Sequence, residues 1–163
     1  MKYGRRLWIA LSAFAGGIVA LDQWTKALVM ANIPLGGKVP VIDGLFHLTY
    51  VRNSGAAFSM LSGMRWLFLA LLAAFFALIV FLIRKGFFTG RAELWCLAAI
   101  CGGALGNAVD RALEGTVVDM IELEFMRFAV FNVADSFITC GAVALVICIL
   151  FFRKKEPNHD AQV

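Results

Sequence analysis

The sequence predicts an all-α membrane protein of four transmembrane helices, and three observations carry that expectation. First, 61% of the 163 residues are hydrophobic and only 16% are charged. The mean hydropathy is +0.83, and a water-soluble domain of this size has too little interior to hide so much apolar surface. Second, four charge-free stretches occur at residues 7–21, 66–83, 94–109 and 136–152. Third, the lysines and arginines gather at alternate ends of those stretches.

The stretches run 15 to 18 residues, slightly short of the roughly 20 that a helix needs to cross a bilayer. Each therefore recruits flanking residues, giving spans at roughly 7–29, 66–83, 93–111 and 134–152 within a single domain of residues 1–163. Lys2, Arg5 and Arg6 precede the first span. Arg84, Lys85 and Arg91 join the second to the third, and Arg153, Lys154 and Lys155 follow the fourth. The positive-inside tendency puts these three places, and so both termini, in the cytoplasm. Residues 31–65 and 112–134 then face outward. The net charge of +4 is largely this bias, so no nucleic-acid partner is expected. The first span starts like a secretory signal, but it continues through Asp22 to Met30 without a small-residue cleavage site.

In the first outer segment, residues 39–42 and 45–51 are rich in β-branched and aromatic residues and flank the turn dipeptide Asp43-Gly44. The second outer segment offers residues 117–121 and 125–131 around Glu122-Leu123-Glu124. Together they predict a small sheet on the membrane's outer face. Residues 56–61 are apolar and predict a short interfacial helix, and residues 156–163 a disordered tail. The third span is dominated by small residues, with Gly102 and Gly106 at GxxxG spacing, which suits close helix packing. Cys96, Cys101, Cys140 and Cys148 lie inside the third and fourth spans, form no CxxC pair and read as small packing residues.

Polar residues near the outer helix ends are the functional candidates, because carboxylates at that depth are costly unless they have a purpose. Asp22 and Lys26 are four apart and share a helix face. Asn107, Asp110 and Arg111 lie at i, i+3 and i+4, again on one face, where opposite charges can satisfy each other. Asn132 and Asp135 open the fourth span, and Asn53 lies in the outer loop. Asp119 and Asp135 differ from the others in having no basic residue at helical spacing. Two such carboxylates suggest a pair that shares one proton and activates water. A serine–lysine alternative rests on Ser54, Ser59 and Ser62 with Lys26 or Lys38. His47 and His159 are isolated and there is no HExxH, so neither metal nor cofactor is expected and His47 reads as an ordinary strand residue. A proton- or ion-coupled carrier subunit is the rival outside enzymes, although relays tend to hold their acids nearer the bilayer centre.

Five motifs in order extend the reading. Leu21-Asp22-Gln23-Trp24-Thr25-Lys26 resembles the LDQxxK element of the lipoprotein signal peptidases, or signal peptidase II. Arg52-Asn53-Ser54-Gly55-Ala56-Ala57-Phe58 resembles that family's N-x-G-A-A-F/W element, and the run from Gly102 to Arg111 resembles GGALGNxxDR. Val117-Val118-Asp119 and Phe131-Asn132-Val133-Ala134-Asp135-Ser136 complete the set. The resemblance implies an aspartic endopeptidase of the bacterial cytoplasmic (inner) membrane with its active site near the outer face. Its substrates would be diacylglyceryl-modified prolipoproteins, cut just before the lipidated cysteine. Asp119 and Asp135 match the catalytic pair, and Asp22, Lys26, Asn53, Gly55, Asn107, Asp110, Arg111 and Asn132 match residues that bind substrate or support the site. The implied fold adds an extracytoplasmic β-cradle and a mobile interfacial helix to the four spans, with membrane lipid as surroundings and a monomer as the working unit. Ala129 departs from the pattern, standing where many members have proline, and residues 120–128 form a short, charged connection.

Overall fold

The computed structural model describes residues 3–55 and 61–152. In chain order these form α1 (Arg5–Asn32), β1 (Lys38–Ile42), β2 (Phe46–Asn53), α2 (Arg65–Arg84), α3 (Arg91–Leu113), β3 (Val117–Leu123) and α4 (Val133–Ile147). A π-helical turn at Cys148–Phe152 extends α4. Four helices are long and apolar enough to cross a membrane, and one small antiparallel sheet accompanies them. The short helix expected at residues 56–61 falls almost wholly outside the described residues, as does the tail at 156–163.

The third helix is central because its small residues admit neighbours on both sides. A Cβ on Gly102 would lie 2.9 Å from the carbonyl oxygen of Ala15 in α1. One on Gly103 would run into the carbonyl oxygen of Ala134 in α4. Gly141 of α4 repeats the arrangement in reverse, where a Cβ would come within 3.1 Å of the carbonyl oxygen of Cys96 in α3. Backbone thus packs on backbone, the mode by which helices associate in lipid, where no hydrophobic drive between them exists. The second helix contrasts with this: it leans on α3 and has no buried residue.

Alternating helix directions bring like ends together. Leu11 of α1 packs with Phe88, Leu94 and Leu97, while Leu82 of α2 and Leu145 of α4 close the cluster. Arg5, Arg6, Arg84, Lys85 and Arg91 belong to this end. The start of α3 is capped here by Glu93, whose Oε2 accepts from the backbone N–H of Thr89 at 2.8 Å and of Gly90 at 3.1 Å.

The sheet occupies the opposite end. At about 1.5 Å per residue, a helix like the 28-residue α1 runs to roughly 42 Å, longer than the roughly 30 Å hydrocarbon layer. That length lets its last turn reach the sheet, where Val29 and Ile33 pack on Leu48, Tyr50, Met120 and Ile121. Strand order is β1-β2-β3, with Pro40 opposite His47 and Arg52 opposite Val118. Gly44 supplies the turn between β1 and β2 with φ +73°, a conformation that suits glycine.

Two expectations need correction. Residues 125–131 do not form a fourth strand; they touch the sheet through a single bridge between Ile121 and Phe131. The backbone N–H of Glu124 donates to Leu45 O at 3.0 Å, which holds the end of β3 against the first turn. The chain must then return to Asn132 to start α4, leaving room for only that bridge. His47 is likewise no ordinary strand residue. Its Nε2 lies 2.7 Å from Glu122 and its Nδ1 3.0 Å from Glu124, and Lys38 adds a 2.9 Å bridge to Glu122.

A methyl group on Gly103 has no space to enter, because the atom it meets is backbone, and overpacking of this kind costs about 1–3 kcal/mol. Gly103→Ala is expected to lower the thermal unfolding temperature in detergent. Gly16→Ala, where nothing lies within 4 Å, should leave that temperature unchanged or raise it.

The sheet cluster has a pH signature. Hydrogen bonds from Lys38, then His47, hold Glu122 below the ordinary 4.5, and those from His47, then the Gly44 N–H, do the same for Glu124. Depressed carboxyls contribute stability above their unfolded pKa and lose it as pH falls through the folded one. Backbone amides of β1 and β2 should therefore exchange faster, relative to those of α3, once the pH drops below about 4. Equal protection across that range would contradict the coupling.

Candidate active site

The first turn of α4 builds one half of the site by ordinary helix-start chemistry. Asn132 is the N-cap, and its Oδ1 accepts from the Asp135 backbone N–H at 2.9 Å. Asp135 stands three residues on and returns a bond, its Oδ2 accepting from the Asn132 backbone N–H at 3.2 Å. This is a capping box, with an acidic side chain at the positive end of the helix dipole. The other half comes from the sheet: Asp119 sits in β3 opposite Val51 of β2 and is 3% exposed.

Each carboxylate is met by neutral amides. Asp119 Oδ1 accepts from Asn132 Nδ2 at 2.8 Å, and Asp119 Oδ2 accepts from Asn53 Nδ2 at 2.9 Å. Asp135 Oδ1 accepts from Asn107 Nδ2 at 2.7 Å. Among the described residues no cation stands within ion-pair distance of either aspartate. Burial therefore dominates at Asp119 and pushes its pKa up to about 6; the bonds from Asn53 and Asn132 oppose the shift, and the charge of Asp135 adds to it.

Behind these lies a closed ionic cluster. Lys26 is 1% exposed, yet its Nζ reaches Asp22 and Asp110 at 2.7 Å each and the Asn107 Oδ1 at 3.0 Å. The second oxygen of Asp22 accepts from the Ala134 backbone N–H at 3.0 Å, so a residue of α1 also caps α4. Gly106 makes room for that carboxylate, since a Cβ there would come within 2.7 Å of it. The Asp22–Lys26 pair is as the helical spacing predicts. Asp110 is not: its partners are Lys26 and the Gln23 side chain, at 2.7 Å, rather than Arg111. Arg111 turns the other way, donating to Gly55 O at 2.9 Å with its guanidinium 4.8 Å above the Phe68 ring. Gly55 in turn donates its N–H to Asn53 Oδ1 at 2.9 Å. Cross-helix geometry overrides spacing along one helix here, because Lys26 has a longer reach into the interior than Asp110 has along its own face.

All ten residues picked out by sequence thus belong to one connected network. Gln23 joins it unforeseen, bridging Gly106 O and Asp110 Oδ1; its place beside Asp22 was the available signal. Among the described residues the serine–lysine alternative finds no support, since Lys26 and Lys38 are engaged by carboxylates and Ser54 and Ser62 bond each other; Ser59 lies outside the described residues. No group of three His, Cys, Asp or Glu among the described residues is arranged to hold a metal ion.

The two aspartates open onto a cavity of about 760 Å³ between α2, α3 and α4. Asn53, Asn107, Arg111, Asp119 and Asp135 line its polar end, while Phe68, Leu72, Phe75, Ile100 and Ile138 make the remainder apolar. A pair of carboxyls held by amides at the head of an apolar slot can take a proton from water and give one to a carbonyl oxygen.

Fold and site together define a multi-pass membrane enzyme with a carboxylate pair at one end of its helices. Residues 14–151 match the signal peptidase (SPase) II family, and the chain belongs to that family; it is a peptidase. It is 42% identical to a lipoprotein signal peptidase of Brevibacillus brevis over 92% of this chain and 99% of the relative. It is also 42% identical to one of Trichormus variabilis over 98% of each. Two solved structures described as bacterial membrane enzymes have the same fold. One gives a TM-score of 0.82 at 29% identity, covering 91% of this chain and 93% of the other. The second gives 0.79 at 30% identity, covering 88% and 94%.

Proposed function

We propose that this chain is an aspartic endopeptidase that removes the signal peptide from diacylglyceryl-modified bacterial prolipoproteins, cutting just before the lipidated cysteine. One observation carries the reading. Asp119, buried, and Asp135, half-buried, line the polar end of a cavity that is otherwise apolar, and neither has a cationic partner among the described residues.

Such a cavity suits a substrate that is peptide at one end and lipid at the other. The diacylglyceryl chains lie along α2 and α4, and the peptide bond before the modified cysteine meets the two carboxyls. The ionised carboxylate takes a proton from water as the water oxygen bonds to the carbonyl carbon. The protonated partner gives its proton to the carbonyl oxygen, producing a neutral tetrahedral diol. Proton transfer to the amide nitrogen then breaks the C–N bond, releasing the signal peptide's carboxylate and the amine of the lipidated cysteine. Asp119 is the natural holder of the first proton, since burial keeps it protonated up to about pH 6.

The basic residues near the ends of α1, α2 and α3 support a cytoplasmic placement of that end and of both termini. The sheet and the carboxylate pair then lie near the outer face of the cytoplasmic membrane. Every site residue comes from one chain, so a monomer suffices.

Asp119→Asn and Asp135→Asn are each expected to lower turnover of a purified diacylated prolipoprotein at least about 100-fold, with unfolding temperatures near wild type. Retained cleavage in either variant, read by gel shift, would remove that residue from the chemistry.

The free enzyme's kcat/KM should decline as pH rises through about 6, the point at which Asp119 ionises. The decline in kcat should come at higher pH, because bound lipid further excludes water from the pair. A kcat/KM flat from about pH 5 to 8 would contradict Asp119 as the proton holder.

A further inference from the structure

Of the nitrogen- and oxygen-bearing side chains that line the cavity, all but one are engaged within the protein. Asn53 donates to Asp119 and Asn107 to Asp135. Arg111 donates to Gly55 O, and the Ser136 hydroxyl bonds back to Asn132 O at 3.1 Å. Thr139 is the exception: among the described residues its hydroxyl has no hydrogen-bond partner. A threonine inside a helix commonly bonds a carbonyl of the preceding turn, as Thr25 does to Asp22 O at 2.9 Å. Thr139 instead is exposed along the cavity wall. It stands four residues after Asp135 in α4, so the two share a helix face and lie about 6 Å apart along the axis. Thr139 thus marks the border where the polar end gives way to Leu72, Phe75, Ile100 and Ile138, whose side chains neither donate nor accept.

We infer that Thr139 is a specificity-determining residue, which donates its O–H to an acyl ester carbonyl of the diacylglyceryl group while the peptide bond sits at Asp119 and Asp135. This rests on the reading of the chain as a peptidase for diacylglyceryl-modified substrates. The ester carbonyls of such a substrate lie between its peptide and its acyl chains. They are hydrated at the membrane surface and lose that water on entering the slot, where a carbonyl without a donor is costly. The wall offers one uncommitted donor, and it stands where the polar and apolar parts of the substrate meet. The flexible thioether and glyceryl carbons can span the single helical turn from the scissile bond to that level. The hydroxyl has one proton to give, so it holds one ester of the two. A peptide that lacks the lipid leaves the hydroxyl unpaired and forfeits the contact, which favours the modified substrate.

The test measures kcat/KM on two prolipoprotein peptides that differ only in their lipid linkage. One carries diacylglyceryl esters and the other dialkylglyceryl ethers, which keep the chains but lack the carbonyls. The assay uses detergent micelles free of phospholipid, so that no bilayer ester competes for the hydroxyl. Wild type should prefer the ester substrate by about 5-fold, the worth of one neutral hydrogen bond. Thr139→Val keeps the shape and removes the hydroxyl, so its preference should fall to near unity through a loss on the ester substrate. Thr139→Ser should keep the wild-type preference. Because each variant is compared with itself on the two substrates, any general change in turnover or folded fraction cancels. Thr139→Ala takes the place of Thr139→Val if the latter does not fold. The inference is overturned by a wild type that shows no ester preference, or by a variant without the hydroxyl that keeps it. Failure of wild type to cleave either peptide would instead sink the reading of the chain as a peptidase for lipidated substrates. Cleavage of both peptides with equal preference in wild type and Thr139→Val sinks only the role of Thr139.

Discussion

A single buried ammonium organises this protein. Lys26 brings a positive charge into a site that is almost wholly out of water, where an unpartnered ion would cost several kcal/mol. Three acceptors surround it: Asp22 of its own helix, and Asp110 and Asn107 of α3. Asp22 then uses its other oxygen on the first turn of α4. One cation therefore fixes the relative depth of three helices. Glycines 102, 103 and 106 let the backbones close to the separation at which these bonds form. Packing and polarity are mutually dependent here, since neither the glycine contacts nor the ionic cluster forms at a wider helix spacing.

The start of α4 shows how a candidate site and helix capping can use the same atoms. Asn132 and Asp135 satisfy the usual requirement for capping a helix, and a sequence of that pattern would be unremarkable at any helix start. What sets it apart is the supply of acceptors and donors around it. Asn132 spends its oxygen on the cap and its NH2 on Asp119 and on the Asn107 side-chain oxygen. Asp135 caps with one oxygen and meets Asn107 with the other. The helix terminus thus holds the second carboxylate of the pair and, through Asn132, the first.

Much of this was legible in the sequence because membrane insertion imposes long-range rules on local composition. Charge-free runs marked the helices, and basic clusters marked one end of them. The intramembrane acids pointed to the polar layer, and Asp22 with Lys26 paired as their spacing requires. Residues whose partners lie across the fold were harder to read. Asp110 was matched to its neighbour Arg111, because spacing along a helix is visible in sequence whereas the reach of Lys26 from another helix is not. His47 looked isolated for the same reason: Glu122 and Glu124 come beside it only through the register of β2 on β3. The second strand expected at residues 125–131 had suitable composition, but the need to return to Asn132 within a few residues prevailed over propensity.

The bare second helix has an energetic consequence. With no residue of α2 buried within the protein, the cavity wall that it forms is chemically continuous with the surrounding hydrocarbon. An acyl chain passing from the bilayer into this space exchanges one apolar environment for another, so its transfer contributes little net free energy. If the substrate is lipidated as proposed, its recognition by such a surface has to come from shape and from the polar end. On the proposed reading, the same near-equality would leave no deep hydrophobic well to hold a lipid-anchored product, which would leave as readily as it came.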